Sequence, residues 1–295
     1  MVGIMNKEKV ICYYHDDLDG MASAAIVKKR YPQAVFIRCQ YGKDIVFEEG
    51  YDTCVVVDFS FSKEEMEKLN ESHTNFCWID HHKSAKEDLK DLWEWTEVDG
   101  IRRLDKAACE LTWEHFYPNE ECPKIIQHIG DVDMWKFELE NSKEIVEALY
   151  LIVSEPEDLI FDFDLSELYK TGYILVSAKE RRCEAYFKKG GKCRLRMNPV
   201  ASSSYSCCIH KKSSYIDGYA INTSSDISDA CAYAIEEGYA MCVDFFFVND
   251  KWIISLRSKG DLDVSEIAKN YGGGGHKNAS GFEYTGDIFD IIKFY

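Results

Sequence analysis

The sequence predicts an α/β protein: an N-terminal domain on a parallel sheet and a smaller, mixed-sheet α/β C-terminal domain, joined by a helical linker. Three observations predict it. Apparent strands in the first eighty residues alternate with helical segments, which implies parallel strands joined by right-handed crossovers. A long helical stretch, Ser166 to Lys188, closes on Gly190-Gly191. Beyond it the pattern turns to strands. The expected boundaries are 1–165, 166–191 and 192–295, and 295 residues suffice for two cores.

The elements follow in order. Val10 to Tyr14 is an apolar run that reads as a strand and leads into His15-Asp16-Asp17-Leu18-Asp19-Gly20. Gly20 to Arg30 has helical spacing, with Ala22, Ala25 and Ile26 on one face, and Tyr31-Pro32 stops it. Val35 to Cys39 is a second strand. Thr53 to Val57 is β-branched and apolar, the mark of a strand covered on both faces, and it ends in Asp58. Ser62 then caps a helix over Lys63 to Leu69. Asn75 to Ile79 is a further strand, ending in Asp80-His81-His82.

Three strands therefore end in Asp or His on the edge where open α/β sheets bind ligands. The topology lets His15, Asp17, Asp19, Asp58, Asp80, His81 and His82 converge. Three carboxylates in four residues repel one another, and cations would neutralise them. Lys106 to Phe116 is helical, with Glu110 and Glu114 on its solvated face. Ile125 to Ile129 is a helical turn leading into a second acidic turn, Gly130-Asp131-Val132-Asp133-Met134-Trp135, which could complete a metal site. Ser142 to Val153 is helical.

In the C-terminal part, Cys193 to Met197, Gly218 to Asn222, Tyr239 to Val248 and Trp252 to Arg257 read as strands. Asn249-Asp250 is a hairpin turn. Asp226 to Glu237 and Val264 to Asn270 are helices. The run Gly272-Gly273-Gly274-Gly275-His276 permits positive φ and close backbone approach, so its amides can surround an anion. With Arg257-Ser258 on a preceding strand, it reads as a phosphate or base pocket.

Composition narrows the substrate. A net charge of −17 argues against a protein that tracks long nucleic acid, since phosphate neutralisation dominates such binding. Basic residues gather only in Lys188 to Arg196 and His210-Lys211-Lys212. No apolar run approaches the ~20 residues of a membrane helix, and Met1 to Lys9 does not resemble a signal peptide. The 12 cysteines include an adjacent Cys207-Cys208 but no Cys-x-x-Cys, which reads as reduced thiols of a cytoplasmic protein.

His15, Asp17, Asp19 and Gly20, then Asp58, then Asp80-His81-His82, then Asp131, resemble the four motifs of the DHH phosphoesterases. Ser255-Leu256-Arg257-Ser258, Gly272 to His276 and Ala279 to Gly281 resemble the accompanying DHHA1 substrate domain, with Ser280 where that family usually has Ala. Ala-Cys-Glu-Leu-x-Trp-Glu at 108–114 is similar to the NrnB-like oligoribonuclease (nanoRNase) branch.

The resemblance implies two Mn²⁺, with Mg²⁺ as the alternative. One would be held by His15, Asp17 and Asp58, the other by Asp19, Asp58, His81 and the fourth-motif aspartate. Asp131 and Asp133 both precede an aromatic residue by four positions; Asp131, first after the apolar helix, is preferred. Asp80 would orient the site and His82 would face the scissile phosphate. Arg257, Gly273, Gly274, Gly275 and His276 would hold the substrate. The implied activity is hydrolysis of short single-stranded RNA or DNA, or dinucleotides, to nucleoside 5′-monophosphates, away from any membrane and with room for a homodimer. Alternatives are a phosphohydrolase for cyclic dinucleotides or 3′-phosphoadenosine phosphate, and a non-catalytic nucleotide sensor.

Overall fold

A computed structural model describes residues 8–94, 97–199 and 215–295. The basic run at 210–212 and the Cys207-Cys208 pair lie outside the described residues. The chain divides into two compact units, Met1–Val176 and Ser177–Tyr295.

In the first unit the strands are β1 (Val10–His15), β2 (Val35–Cys39), β3 (Thr53–Val57) and β4 (Asn75–Ile79). They lie in the order β2-β1-β3-β4, and every pairing is parallel. Helix α1 (Leu18–Arg30) follows β1, and α2 (Lys63–Ser72) follows β3. The expected cap is present: the Ser62 hydroxyl accepts from the Glu65 amide while the Glu65 carboxylate accepts from the Ser62 amide. Next come α3 (Lys83–Asp88), α4 (Lys90–Trp93), α5 (Ala108–Phe116), α6 (Lys124–Asp133) and α7 (Ser142–Ile152).

The continuous apolar strands have a packing cause. Cys12, Tyr14, Val55, Val57, Cys77 and Ile79 face one core, shared with α1 and α5 to α7. Their neighbours Ile11, Tyr13, Cys54, Val56, Phe76 and Trp78 face a second core with Met66, Leu69, Ala85 and Trp93. Successive side chains point to opposite faces, so burial on both requires apolar residues throughout. The outer edge of β4 is covered by the chain around residue 100: Trp78 N–H donates to the Asp99 carbonyl at 2.9 Å, and Asp80 N–H to that of Ile101 at 3.2 Å.

Helix α8 (Leu165–Lys189) contains the division between the units. The second unit holds β5 (Gly191–Arg196), β6 (Tyr215–Ile221), α9 (Ile227–Glu236), β7 (Met241–Val248), β8 (Lys251–Ser258) and α10 (Val264–Asn270). It ends with β9 (Gly274–His276), β10 (Ala279–Tyr284) and β11 (Ile292–Phe294). Among the described residues its sheet runs β11-β5-β6-β7-β8-β10-β9, mixed because β6 and β7 are parallel while the other pairs are antiparallel. Asn249 and Asp250 both take positive φ, the backbone that a two-residue hairpin turn requires.

Two local expectations change. Gly130 to Asp133 is not a turn; it is the last turn of α6. The glycine run is not a free anion-binding loop over its whole length, because Gly274 to His276 pair with Ala279 to Gly281. A Cβ on Gly273 would stand 2.1 Å from the Gly281 carbonyl oxygen, so close packing of two backbones already demands glycine there.

Candidate metal centre

The carboxyl ends of β1, β3 and β4 place three groups of residues together. After β1, Asp17 caps α1, accepting from the Gly20 amide at 2.9 Å, and its other oxygen lies 2.7 Å from His15 Nδ1. Gly20 is required by this tight entry, since a Cβ would stand 2.2 Å from the His15 carbonyl oxygen. Asp16 turns away to pair with Arg38 at 3.1 Å. Only two of the three clustered carboxylates therefore face the centre, and the third is neutralised by a cation of the chain.

Asp58 sits immediately after β3 with φ of +55°, a conformation that costs a non-glycine residue roughly 1–3 kcal/mol. It is fully buried. Its two oxygens point apart, one 3.5 Å from His15 Nδ1 and the other 3.2 Å from His81 Nε2. Neither has a hydrogen-bond partner among the described residues. Two unpartnered oxygens on a buried, strained carboxylate, each facing an imidazole nitrogen, are donors that a cation could use.

After β4, Asp80 is buried and its Oδ1 accepts from the His81 amide at 2.7 Å, the His82 amide at 3.0 Å and His82 Nδ1 at 2.8 Å. His81 Nε2 lies 3.5 Å from Asp19 and 3.6 Å from Asp133. Asp19 is itself pinned, with its two oxygens accepting from the Ala108 and Cys109 amides at 2.8 Å each. The free amides of a helix N-terminus favour a carboxylate.

Of the two candidates for the fourth motif, Asp133 faces the cluster and the preferred Asp131 does not. Two residues on one helix point ~200° apart around its axis, so only one can face the cluster. Asp131 turns to the following loop, where its oxygens accept from the Glu138 amide at 2.9 Å and the Leu139 amide at 3.2 Å. Asp133 falls on the stripe of Ile125, Ile126 and Ile129, the buried face of α6, and that periodicity is the signal that selects it.

The electrostatics match an ion-binding cluster. Burial, with Asp58 close by, pushes the Asp19 carboxyl up to about 7. Burial and the nearby Asp19 do the same to Asp133, also to about 7. For His15, burial acts downward, but Asp17 and Asp58 override it and raise the imidazole to about 10. His81 reaches about 10 in the same way, through Asp58 and Asp19. Without cations the cluster holds protons in their place.

Sequence reading missed an aromatic wall. Tyr41 stacks on Phe59 with centroids 4.3 Å apart, and its ring lies 5.5 Å from that of His15. Glu114, expected on a solvated face, is half-buried in ion pairs with Arg103 at 2.9 Å and Lys106 at 3.0 Å. In the second unit Arg257 donates to the Ser228 hydroxyl at 2.9 Å, and Gly273 and Gly275 pack tightly against β10. Nothing within 4 Å would meet a Cβ at Gly274, which leaves its backbone approachable.

The DHH family, N-terminal domain, matches residues 9–151, and the DHHA1 domain matches residues 214–294. The chain belongs to the DHH family. Protein R106 of Acanthamoeba polyphaga mimivirus is 30% identical to this DHH protein, over 96% of its length and 69% of the viral protein. Oligoribonuclease NrnB of Bacillus subtilis is 23% identical over 95% of this chain and 74% of its own. Two solved structures share the DHH fold at 12% identity. The pGpG-specific phosphodiesterase PggH of Vibrio cholerae aligns with TM-score 0.54 over 96% of this chain and 95% of its own. Exonuclease RecJ bound to manganese aligns with TM-score 0.50 over 96% and 87%. This protein is a DHH-family phosphoesterase with a DHHA1 domain. Among its described residues, no helix is long and apolar enough to cross a membrane.

Proposed function

We propose that this DHH phosphoesterase hydrolyses short single-stranded RNA or DNA oligonucleotides, dinucleotides among them, to nucleoside 5′-monophosphates, using two Mn²⁺. The observation that carries this reading is Asp58, whose unpartnered oxygens face His15 on one side and His81 on the other. His15, Asp17 and Asp58 would hold one ion; Asp19, Asp58, His81 and Asp133 would hold the other. Imidazole among the ligands favours Mn²⁺ over Mg²⁺, which prefers oxygen alone. The names of NrnB and PggH support short nucleotide substrates, and the manganese bound to RecJ supports the choice of ion.

When bound, such an ion pair supplies Lewis acidity at the phosphate and lowers the pKa of water. The chain's own residues supply the rest. Asp80 fixes His82 through Nδ1, leaving Nε2 as the ring nitrogen available to a phosphate. Burial disfavours the charged ring, but the Asp80 carboxylate overrides it and raises the His82 pKa. In its protonated form His82 complements the charge of the phosphodiester and can deliver a proton to the leaving oxygen. Arg257, Gly273, Gly274, Gly275 and His276 of the second unit are assigned to holding the nucleotide.

The test is kcat/KM with Mn²⁺ over oligonucleotides from dimers to twenty-mers at two salt concentrations. A preference for roughly two to five nucleotides with weak salt dependence is expected, since few phosphates would be contacted. Asp58→Ala should lower kcat/KM at least about a hundredfold, the scale of losing a group that stabilises developing charge. Near-normal turnover in that variant would remove the two-ion reading. Rates climbing to twenty-mers would indicate a processive exonuclease, and turnover confined to a cyclic dinucleotide would indicate that class instead.

A further inference from the structure

A second cluster of metal-binding side chains lies on β4, away from the strand ends. Cys77 is in the middle of β4 on the face covered by α5, and it is buried. Its backbone pairs with Asp99 through an isolated parallel bridge, which sets the two residues side by side. The Asp99 carboxylate is steadied through Oδ1, which accepts from the Gly100 amide at 2.9 Å. His115, in the last turn of α5, completes the group: its Nε2 lies 3.6 Å from Cys77 Sγ and 3.4 Å from Asp99 Oδ2.

Those separations are informative. Zinc takes sulfur at ~2.3 Å, and nitrogen or oxygen at ~2.0–2.1 Å, in tetrahedral geometry. Trigonometry on those lengths puts sulfur and nitrogen about 3.6 Å apart, and nitrogen and oxygen about 3.3 Å apart. The observed 3.6 Å separation of Cys77 and His115 is a thiol–imidazole hydrogen-bond length that also fits the first edge, and the 3.4 Å separation of His115 and Asp99 fits the second. A hydrogen-bonded His–Asp pair alone would draw its atoms to about 2.8 Å. The cluster also borders a pocket of about 400 Å³ lined by Cys77 and Asp99 together with Glu97, Tyr31 and Phe116. Water from that pocket can fill a fourth position.

We propose that Cys77, Asp99 and His115 form a second, separate cation site for a zinc-class divalent ion, clamping the last turn of α5 to β4. The donor set is selective. Thiolate with imidazole suits zinc, whereas the strand-end cluster, with imidazole and carboxylate only, suits manganese. A thiolate, a carboxylate and a neutral imidazole carry charge −2, which one divalent ion balances. The site is independent of the phosphoesterase substrate.

Cobalt(II) tests it, because sulfur-to-cobalt charge transfer in the near ultraviolet requires a thiolate ligand and the strand-end cluster has none. The purified full-length chain, reduced and stripped of metal, is titrated with Co²⁺. The charge-transfer band should saturate at one equivalent per chain, vanish in Cys77→Ser and be displaced by Zn²⁺. Asp99 is exposed, so Asp99→Asn should leave the fold intact while weakening Co²⁺ binding at least about tenfold. No band in the wild-type chain, a band that survives Cys77→Ser, or unchanged affinity in Asp99→Asn would each overturn the proposal. Circular dichroism of Cys77→Ser separates loss of the ligand from loss of the fold.

Discussion

At the scale of single residues, α6 assigns different work to two aspartates two positions apart. Asp131 accepts loop amides and Asp133 faces His81. Asp131→Ala should therefore destabilise the protein by about 1.5–3 kcal/mol, the scale of losing hydrogen bonds to a charged group, with Mn²⁺ affinity nearly retained. Asp133→Ala should do the reverse, weakening Mn²⁺ binding at least about tenfold at little cost in stability. Urea unfolding and metal titration of both variants separate the two roles; matching profiles would show that they share one. His15, Asp17, Asp19, Asp58, His81 and His82 were legible because strand ends in a parallel sheet converge. Asp133 was ambiguous because a Gly-Asp pair has the composition of a turn, and only the apolar period before it reveals the continuing helix.

At the scale of elements, the four parallel strands and their helices were legible for a packing reason: a sheet covered on both faces leaves long apolar runs. The glycine run was harder. Its composition reads as a loop, yet Gly273 and Gly275 are glycines because β10 runs against them, a contact made by residues several positions onward. Tyr41 lies in a segment without apolar periodicity, so nothing local reveals its stack on Phe59. Gly20 carries the sharpest consequence for an element. At an open helical position Gly→Ala stabilises by about 1 kcal/mol. Here the new methyl would meet the His15 carbonyl at 2.2 Å, a backbone atom that cannot turn aside. Gly20→Ala should instead cost ~1–3 kcal/mol as overpacking, read as a lower urea midpoint. A stabilised variant would mean that α1 can shift away from β1.

At the scale of the whole molecule, the protonated cluster couples folding to pH and to cations. Asp19 and Asp133 titrate near 7 and His15 and His81 near 10, all above their ordinary values. At these four groups the folded, ion-free chain therefore binds more protons than the unfolded chain between about pH 4 and about pH 10, and their contribution to stability falls as pH rises through that window. Cations must displace those protons, so their affinity rises with pH. The gap in Tm between Mn²⁺-loaded and chelator-treated protein should widen from about pH 6 to about pH 8. A gap that is constant or narrows would show that the cluster is not the site being filled.

Asp19 has a further consequence for engineering. Both of its oxygens hold amides at the start of α5 while the carboxylate faces His81. Retuning the centre for a larger or softer ion by lengthening this side chain to glutamate would unseat the helix, and moving the helix would carry the ligand with it. A redesign has to treat position 19 and the first turn of α5 as a single part.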